Sequence, residues 1–502
     1  MLGRPTLEII YSRSPPHLFE QKNSVKDRAV TDTRKSEDRR HTSMPVFTKE
    51  KPSQMKIKNA LSLRGTLTVP GDKSISHRSV MLGAIAEGDT VVHGFLYSAD
   101  CLATIDCFRR MGVKIEELRG EAGENVLIVH GRGRRGLKAP DESLDAMNSG
   151  TTVRLLSGIL AGQSFSSYIK GDASLSKRPM KRIIEPLREM GARIDSENDD
   201  NCLPLEIQGR QLHGITYTSK VASAQVKSCI LLAGLYADGP TTVYEPFLSR
   251  NHTELMLNTF GGNIKLKKDA KTGLPGAIVY PGVILTGQNI TVPGDISSAA
   301  YFIAAGLLVP HSEITLRNVG INQTRDGILR VCSAMGGNIR TLNVRMEGRE
   351  PVADLLIRTS ELHGTNIGGA LIPTLIDELP VIAVMAACAE GDTEISDAGE
   401  LRVKESDRLA AIIEGLRNMG VEVDETETGM IIHGNGGKNH RRDARGCLKG
   451  AVINPKGDHR MAMAFTVAGL ISSGTTTVRG TDCVKISYPD FYRDLESLGY
   501  NL

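Results

Sequence analysis

The five residues Thr68-Val69-Pro70-Gly71-Asp72 return unchanged as Thr291-Val292-Pro293-Gly294-Asp295, almost half a chain later. A chain that carries such a copy is built twice over. A finer repeat lies beneath it, in which an apolar residue and a Gly lead into a short strand. It occurs at Met111-Gly112-Val113, Met190-Gly191, Phe260-Gly261, Met335-Gly336 and Met419-Gly420, with a degraded sixth copy at Leu498-Gly499-Tyr500. Intervals of roughly 70 to 85 residues predict six similar units, three per half. That spacing is too long for a solenoid, so each unit should be a small α/β module. Each of these Gly residues should end a helix in the left-handed conformation.

The chain between the Gly residues alternates short strands with helices of small apolar residues. Helices are expected over Arg78–Glu87, Gln225–Tyr236, Ala299–Leu308, Val381–Ala389 and Met461–Ile471, each followed by a strand such as Thr90–Val92 or Thr393–Ile395. They are apolar nearly all round and rich in Ala and Gly, which marks core helices that approach one another closely. The two Pro-Gly-Asp sites fit places where the chain crosses between halves. Residues 1–54 are rich in charge and Ser, hold Pro15-Pro16 and lack a sustained period, so they should be a disordered extension. No apolar stretch follows their basic residues as a secretory signal requires. Gly434–Lys449 reads as a solvated loop.

With 502 residues, 40% hydrophobic and 24% charged, the chain is large enough for two domains. A net charge of +3 gives no reason to expect nucleic acid or membrane as a partner. Eight Cys without a CxxC pair suit a reducing cytoplasm. The longest apolar run, Val381–Ala389, is too short to span a bilayer.

The core helices share polar beginnings: Lys73-Ser74 with Arg78, Thr151-Thr152 with Arg154, Ser223 with Gln225, Asp377-Glu378, and His459-Arg460. A helix start carries unpaired N–H groups and partial positive charge, which favours a bound anion. Capping alone would account for Ser74, Ser223 and Asp377. It does not account for Lys73, Arg78, Arg154 and Arg460, because a cation is disfavoured there unless an anion offsets it. Asn148–Arg154 places Gly150 where backbone approaches something closely. Ser174–Pro179 reads as a cationic loop before a helix started by Pro. If Arg402–Arg408 is helical, Lys404 and Arg408 share a face, with Glu405 one turn from Arg408.

Taken together and in order, Gly71–Arg78, Asn148–Arg154, Gly171–Met180, Ser223–Ser228, Arg402–Arg408 and Gly457–Met463 resemble the 5-enolpyruvylshikimate-3-phosphate synthase family, in its bacterial class II branch. The resemblance spans residues 61–492. It implies an α/β fold of two similar domains, each of three βαβαββ units around buried helices, with the ligand cleft between them. The division it implies is residues 55–71 plus 295–502 as one domain and 72–294 as the other. It further implies a monomeric cytoplasmic transferase of the shikimate pathway that needs no metal or organic cofactor. The enolpyruvyl group of phosphoenolpyruvate would move to the 5-hydroxyl of shikimate 3-phosphate, releasing phosphate on the way to aromatic amino acids.

By that resemblance Asp377 is the base toward the hydroxyl, Glu405 the acid toward C3, and Lys73 assists phosphate and proton traffic. Lys73, Ser74, Arg78, Ser223, Ala224, Gln225, Ser249, Asp377 and Lys404 would contact shikimate 3-phosphate. Lys73, Gly150, Arg178, Gln225, Arg408 and Arg460 would contact phosphoenolpyruvate, with glyphosate as an inhibitor there. Three positions depart from the family pattern: Glu400 replaces an Asn, Ala224 replaces a Ser, and Lys485 lies one residue further from Tyr488–Phe491. Neighbouring cations should lower the Glu405 pKa while burial should raise it. Two other functions compete. The UDP-N-acetylglucosamine enolpyruvyl transferase shares the architecture but uses a loop Cys, and no Cys here stands in an equivalent charged loop. A non-catalytic anion-binding protein would have lost Asp377 or Glu405.

Overall fold

In the computed structural model the residues described are 53–119, 125–198, 202–436 and 446–502. The expected disorder of the N-terminal extension therefore lies outside the described residues, except at its end. There the boundary needs correction. Ser53 O accepts from Gly480 N at 2.6 Å, and the strand Gln54–Ile57 pairs antiparallel with Thr476–Arg479, so Ser53 and Gln54 belong to the folded body.

The repeat is visible in strand pairing. Five sheets of four strands share one pattern: two parallel strands, then two more added antiparallel. In one of them Leu144–Asp145 runs parallel to Ser166–Lys170, with Cys202–Gln208 and Arg193–Asn198 beyond. Among the described residues the sixth unit has a sheet of three strands, Val452–Ile453, Thr476–Arg479 and the N-terminal Gln54–Ile57. The start of the described chain thus completes the last unit. All six repeat glycines take positive φ, from 82° at Gly112 to 91° at Gly499, a region that penalises any Cβ. Their role as helix terminators is the one expected.

Two strands are exchanged between the halves. Arg64–Leu67, which precedes the helix Lys73–Ile85, pairs parallel with Glu313–Gly320. Asn289–Thr291, which precedes the helix Ile296–Leu308, pairs parallel with Asp89–His93. The chain crosses at both copies of the duplicated motif. There Gly71 bridges Gly294, Asp72 N donates to Pro293 O at 2.8 Å, and Asp295 N donates to Pro70 O at 2.9 Å. Gly71 is obligatory, since a Cβ would stand 1.9 Å from Gly94 O. The apolar core divides at the same place. One cluster is drawn from within residues 75–292, the other from 57–69 and 296–500.

Three helices fill each core: Lys73–Ile85, Gly150–Ala161 and Ala224–Gly234 in one, Ile296–Leu308, Leu379–Ala387 and His459–Gly469 in the other. All nine residues of Leu379–Ala387 are buried, which explains why its sequence is apolar on every face. All five expected helices begin one to five residues earlier than their apolar period suggests, and in two, which start at Lys73 rather than Arg78 and at His459 rather than Met461, the added turn is charged. The reason is a carboxylate cap. Asp72 accepts from Ile75 N at 2.9 Å and Asp458 from Arg460 N at 2.9 Å, and their charge offsets the cations of the first turn. Ser223 caps its helix as expected, accepting from Val226 N at 3.5 Å. Ser74 and Asp377 do not cap, because Ser74 lies inside its helix and Glu378 holds the cap position before Leu379. Leu448–Lys449, assigned to a loop, pairs with Ser472–Ser473 instead, and residues 437–445 lie outside the described set. Among the described residues no helix is long and apolar enough to cross a membrane.

Candidate active site

The polar helix starts of both halves open on one cavity of about 480 Å³. From one half it receives Lys73 and Ser74, Thr151 and Arg154, Ser223 with Ala224 and Gln225, and the loop residues Arg178, Ser249 and Arg250. From the other come Asp377, Lys404, Glu405, His459 and Arg460. Three expected site residues touch this lining from behind. Arg78 is buried, with Nη1 donating to Ser74 O at 2.9 Å and Nε to Thr253 Oγ1 at 2.7 Å. Gly150 backs Arg178, and Arg408 lies beneath Asp377 and Glu405.

Asp377 is the electrostatic centre. Arg250 Nη2 donates to its Oδ2 at 2.5 Å, Arg408 Nη1 stands 3.2 Å and Lys404 Nζ 3.5 Å from Oδ1, and Arg460 Nη2 lies 3.8 Å from Oδ2. Burial alone would raise the pKa of this carboxyl, but Lys404, Arg460, Arg250 and Arg408 together hold it well below the usual range. Glu405 obeys the same balance. Arg408 Nη2 donates to Oε2 at 2.5 Å and Arg178 Nη1 lies 3.7 Å from Oε1. Burial is again opposed by Arg408 and Arg178 and then by Lys404, and the carboxyl is held well below its ordinary value. Charge therefore outweighs burial at both carboxyls, a contest the sequence left open.

Lys73 pairs with Asp100. Burial would lower its pKa, but the Asp100 charge and hydrogen bond raise it, so the group stays an ammonium. Burial pushes the His459 imidazole down to about 4, helped by Arg460 and Lys73, and it is neutral at physiological pH. Arg154 is lowered to about 10 by burial and by the nearby Arg178 and Arg182. Its Nη1 donates to Gln225 Oε1 at 2.8 Å, while Gln225 Nε2 donates to Thr151 Oγ1 at 3.0 Å.

Arg402–Arg408 is not one helix. A short 3₁₀ turn ends at Val403, Lys404–Asp407 is extended or irregular, and the next helix begins at Arg408 under an Asp407 cap. Lys404 and Arg408 meet at Asp377 because the chain bends there, not because they share a helix face. The cationic loop near Arg178 likewise holds a 3₁₀ turn, Leu175–Lys177, and its helix starts at Lys181, after Pro179. Glu400 lines the cavity but is paired with Arg182 at 2.9 Å, and Lys485 is exposed beside Asp482. Sequence reasoning missed Arg250, Arg182 and Arg325, all of which line the cavity. They precede or begin outer helices, where no repeated polar start marks them.

This combination of six α/β units, two exchanged strands and helix starts facing a cationic crevice is the enolpyruvyl transferase fold. The enolpyruvyl transferase NikO from Streptomyces tendae has the same fold, with a TM-score of 0.68 over 90% of this chain and 98% of that one, at 18% identity. The EPSP synthase (3-phosphoshikimate 1-carboxyvinyltransferase) family model matches residues 57–495, and the chain belongs to that family. The 3-phosphoshikimate 1-carboxyvinyltransferase of Brevibacillus brevis (strain 47 / JCM 6285 / NBRC 100599) is 51% identical over 438 residues, 87% of this chain and 98% of the relative. That of Geobacillus kaustophilus (strain HTA426) is 51% identical over 440 residues, 88% and 99% respectively. The EPSP synthase structure from Acinetobacter baumannii superposes with a TM-score of 0.77 at 46% identity, covering 88% of this chain and 97% of that one.

Proposed function

We propose that the cavity is where this family member holds shikimate 3-phosphate and phosphoenolpyruvate together and transfers the enolpyruvyl group. The observation that carries the reading is convergence: Lys73, Arg178 and Arg250 from one half, with Lys404 and Arg460 from the other, surround the carboxylates of Asp377 and Glu405. Two polyanions need such a cation set, and holding both reactants fixed supplies much of the rate. Lys73, Ser74, Ser223, Ala224, Gln225, Ser249 and Lys404 take shikimate 3-phosphate, with Arg78 behind Ser74. Lys73, Arg178, Gln225 and Arg460 take phosphoenolpyruvate, with Gly150 and Arg408 behind them.

The 5-hydroxyl attacks C2 as Asp377 accepts its proton and Glu405 protonates the C3 methylene, giving a tetrahedral intermediate. Glu405, now a carboxylate, takes a proton back from the C3 methyl, the double bond re-forms, and phosphate departs with the proton held by Asp377. Asp377 is ionised by its four cations and so open to a proton, and the incoming phosphate offsets those cations and restores its basicity. Glu405 must gain a proton, and the incoming anions supply the means by offsetting Arg408 and Arg178 so that burial prevails. Lys73, held as an ammonium by Asp100, serves as a fixed positive charge rather than a proton carrier.

The halves with separate cores are the domains, 72–294 and 55–71 plus 295–502, with Ser53 and Gln54 added to the latter. We place the protein in the cytoplasm as a monomer; a dimer in sedimentation, or recovery with membranes on fractionation, would overturn this. Among the described residues no Cys lines the cavity. Cys101, behind Lys73, is buried, which pushes its thiol up to about 12. Neither fact favours a thiol-dependent rival.

The test is phosphate release from phosphoenolpyruvate. Release that depends on shikimate 3-phosphate is expected. Release with UDP-N-acetylglucosamine in its place, or no release with either, would overturn the reading. A second test concerns Gly150. A Cβ there would stand 2.7 Å from Arg154 Nη1 and 3.5 Å from Arg178 Nη1. Arg154 can yield, but it carries Gln225 with it. Gly150→Ala should therefore weaken inhibition by the phosphoenolpyruvate analogue glyphosate about tenfold or more. Equal inhibition of both proteins would refute this.

A further inference from the structure

Asp72 and Asp295 hold equivalent places in the duplicated motif, each following an exchanged strand and capping a core helix. One guanidinium serves both. Arg325 Nη1 stands 3.4 Å from Asp72 Oδ2, and its Nη2 donates to Asp295 Oδ1 at 3.0 Å and to Ser297 Oγ at 2.6 Å. The Ser297 hydroxyl in turn bonds Glu378 Oε1. Arg325 is only 3% exposed. Both ends of this chain of contacts reach the chemistry within one residue, since Lys73 follows Asp72 and Glu378 follows Asp377.

We propose that Arg325 is a positioning residue for enolpyruvyl transfer, joining Asp72 and Asp295 across the two crossings and so fixing Lys73 against Asp377. The proposal rests on the roles given to those two residues above. Without Arg325 two buried carboxylates would face each other where the halves meet. Burial and the facing Asp72 push the Asp295 carboxyl up, with Arg325 and then Arg460 opposing, while Arg325, His252 and Arg250 overcome burial to hold Asp72 low. Glu378 faces the same guanidinium through Ser297. A single planar fork can span two carboxylates and a hydroxyl, which a lone ammonium cannot.

The test compares Arg325→Met and Arg325→Lys with the wild-type protein in three measurements: kcat, shikimate 3-phosphate affinity by calorimetry, and thermal midpoint at pH 6 and pH 8.5. Arg325→Met should lower kcat about 100-fold, the scale of a small misplacement, while affinity changes by less than about threefold. A carboxyl whose folded pKa is raised loses stability as pH rises through that value. Removing Arg325 raises Asp295 further, so the midpoint deficit should be larger at pH 8.5 than at pH 6. Arg325→Lys should regain most of the midpoint yet stay about tenfold slow. Wild-type kcat in Arg325→Lys would overturn the proposal, as would a parallel loss of affinity and kcat in Arg325→Met. Should Arg325→Met fail to fold, Arg325→Lys decides the matter together with Ser297→Ala, which cuts the link to Glu378 and should also slow kcat. A wild-type protein without phosphate release would defeat the functional reading instead, and an active wild type beside an active Arg325→Lys defeats only this inference.

Discussion

Asp377→Asn is expected to lower kcat about 10²- to 10⁴-fold while shikimate 3-phosphate still binds. Asn has nearly the same shape and can keep the oxygen that accepts from Arg250, but it cannot take the hydroxyl proton. Its neutrality also leaves Arg250, Lys404, Arg408 and Arg460 facing one another, all within 4 Å of the former carboxylate. An anionic ligand relieves that repulsion, so affinity should hold or improve. Calorimetry for the ligand and a turnover assay separate the two effects. The pH dependence follows from the lowered Asp377 pKa: the base remains ionised below the range in which exposed carboxylates titrate, so its protonation should not limit kcat/KM in the wild type at pH 5. A variant retaining a tenth of wild-type kcat would remove Asp377 from the role of base, and an acid limb near pH 6 that vanishes in Asp377→Asn would show that its pKa is not held low.

The parts of this molecule that could be read in its sequence are those where one residue type answers one local demand. The repeat glycines did so, because a helix ending in positive φ excludes a Cβ at Gly112 and Gly420 alike. The exchanged strands were legible through a motif whose Gly71 admits no side chain. Helix starts were read one turn late at Lys73, since apolar periodicity begins only after the capped, charged turn. Lys404 and Arg408 were expected on one face only if Arg402–Arg408 is helical, and they converge equally well across an irregular bend. Arg250 and Arg325 escaped notice because nothing local distinguishes a loop arginine that pairs with a carboxylate from one that is solvated. The state of Glu405 needed distances, since burial and charge push in opposite directions and only geometry weighs them.

Arg408→Met is expected to destabilise the protein by about 3–5 kcal/mol, the usual effect of removing one partner from a buried ion network. Arg408 is 1% exposed, and each of its nitrogens has its own carboxylate. Nε lies 2.8 Å from Asp458 Oδ2, Nη1 3.2 Å from Asp377 Oδ1 and Nη2 2.5 Å from Glu405 Oε2. Met fills much of the volume, so the loss measures charge rather than a cavity. All three carboxyls are held below their ordinary values in the folded protein, and Arg408 contributes to each. A depressed carboxyl stabilises above its unfolded pKa of about 4 and loses that contribution as pH falls through the folded value. Removing Arg408 raises the three carboxyls, so the variant can relieve its repulsion by protonation when acidified. The gap in thermal midpoint should therefore be widest near pH 8 and narrow toward pH 5. Arg408→Lys should recover much of the midpoint but little turnover, because one ammonium cannot address three carboxylates at fixed angles. A gap that stays constant from pH 5 to pH 8 would mean that Arg408 acts through packing alone.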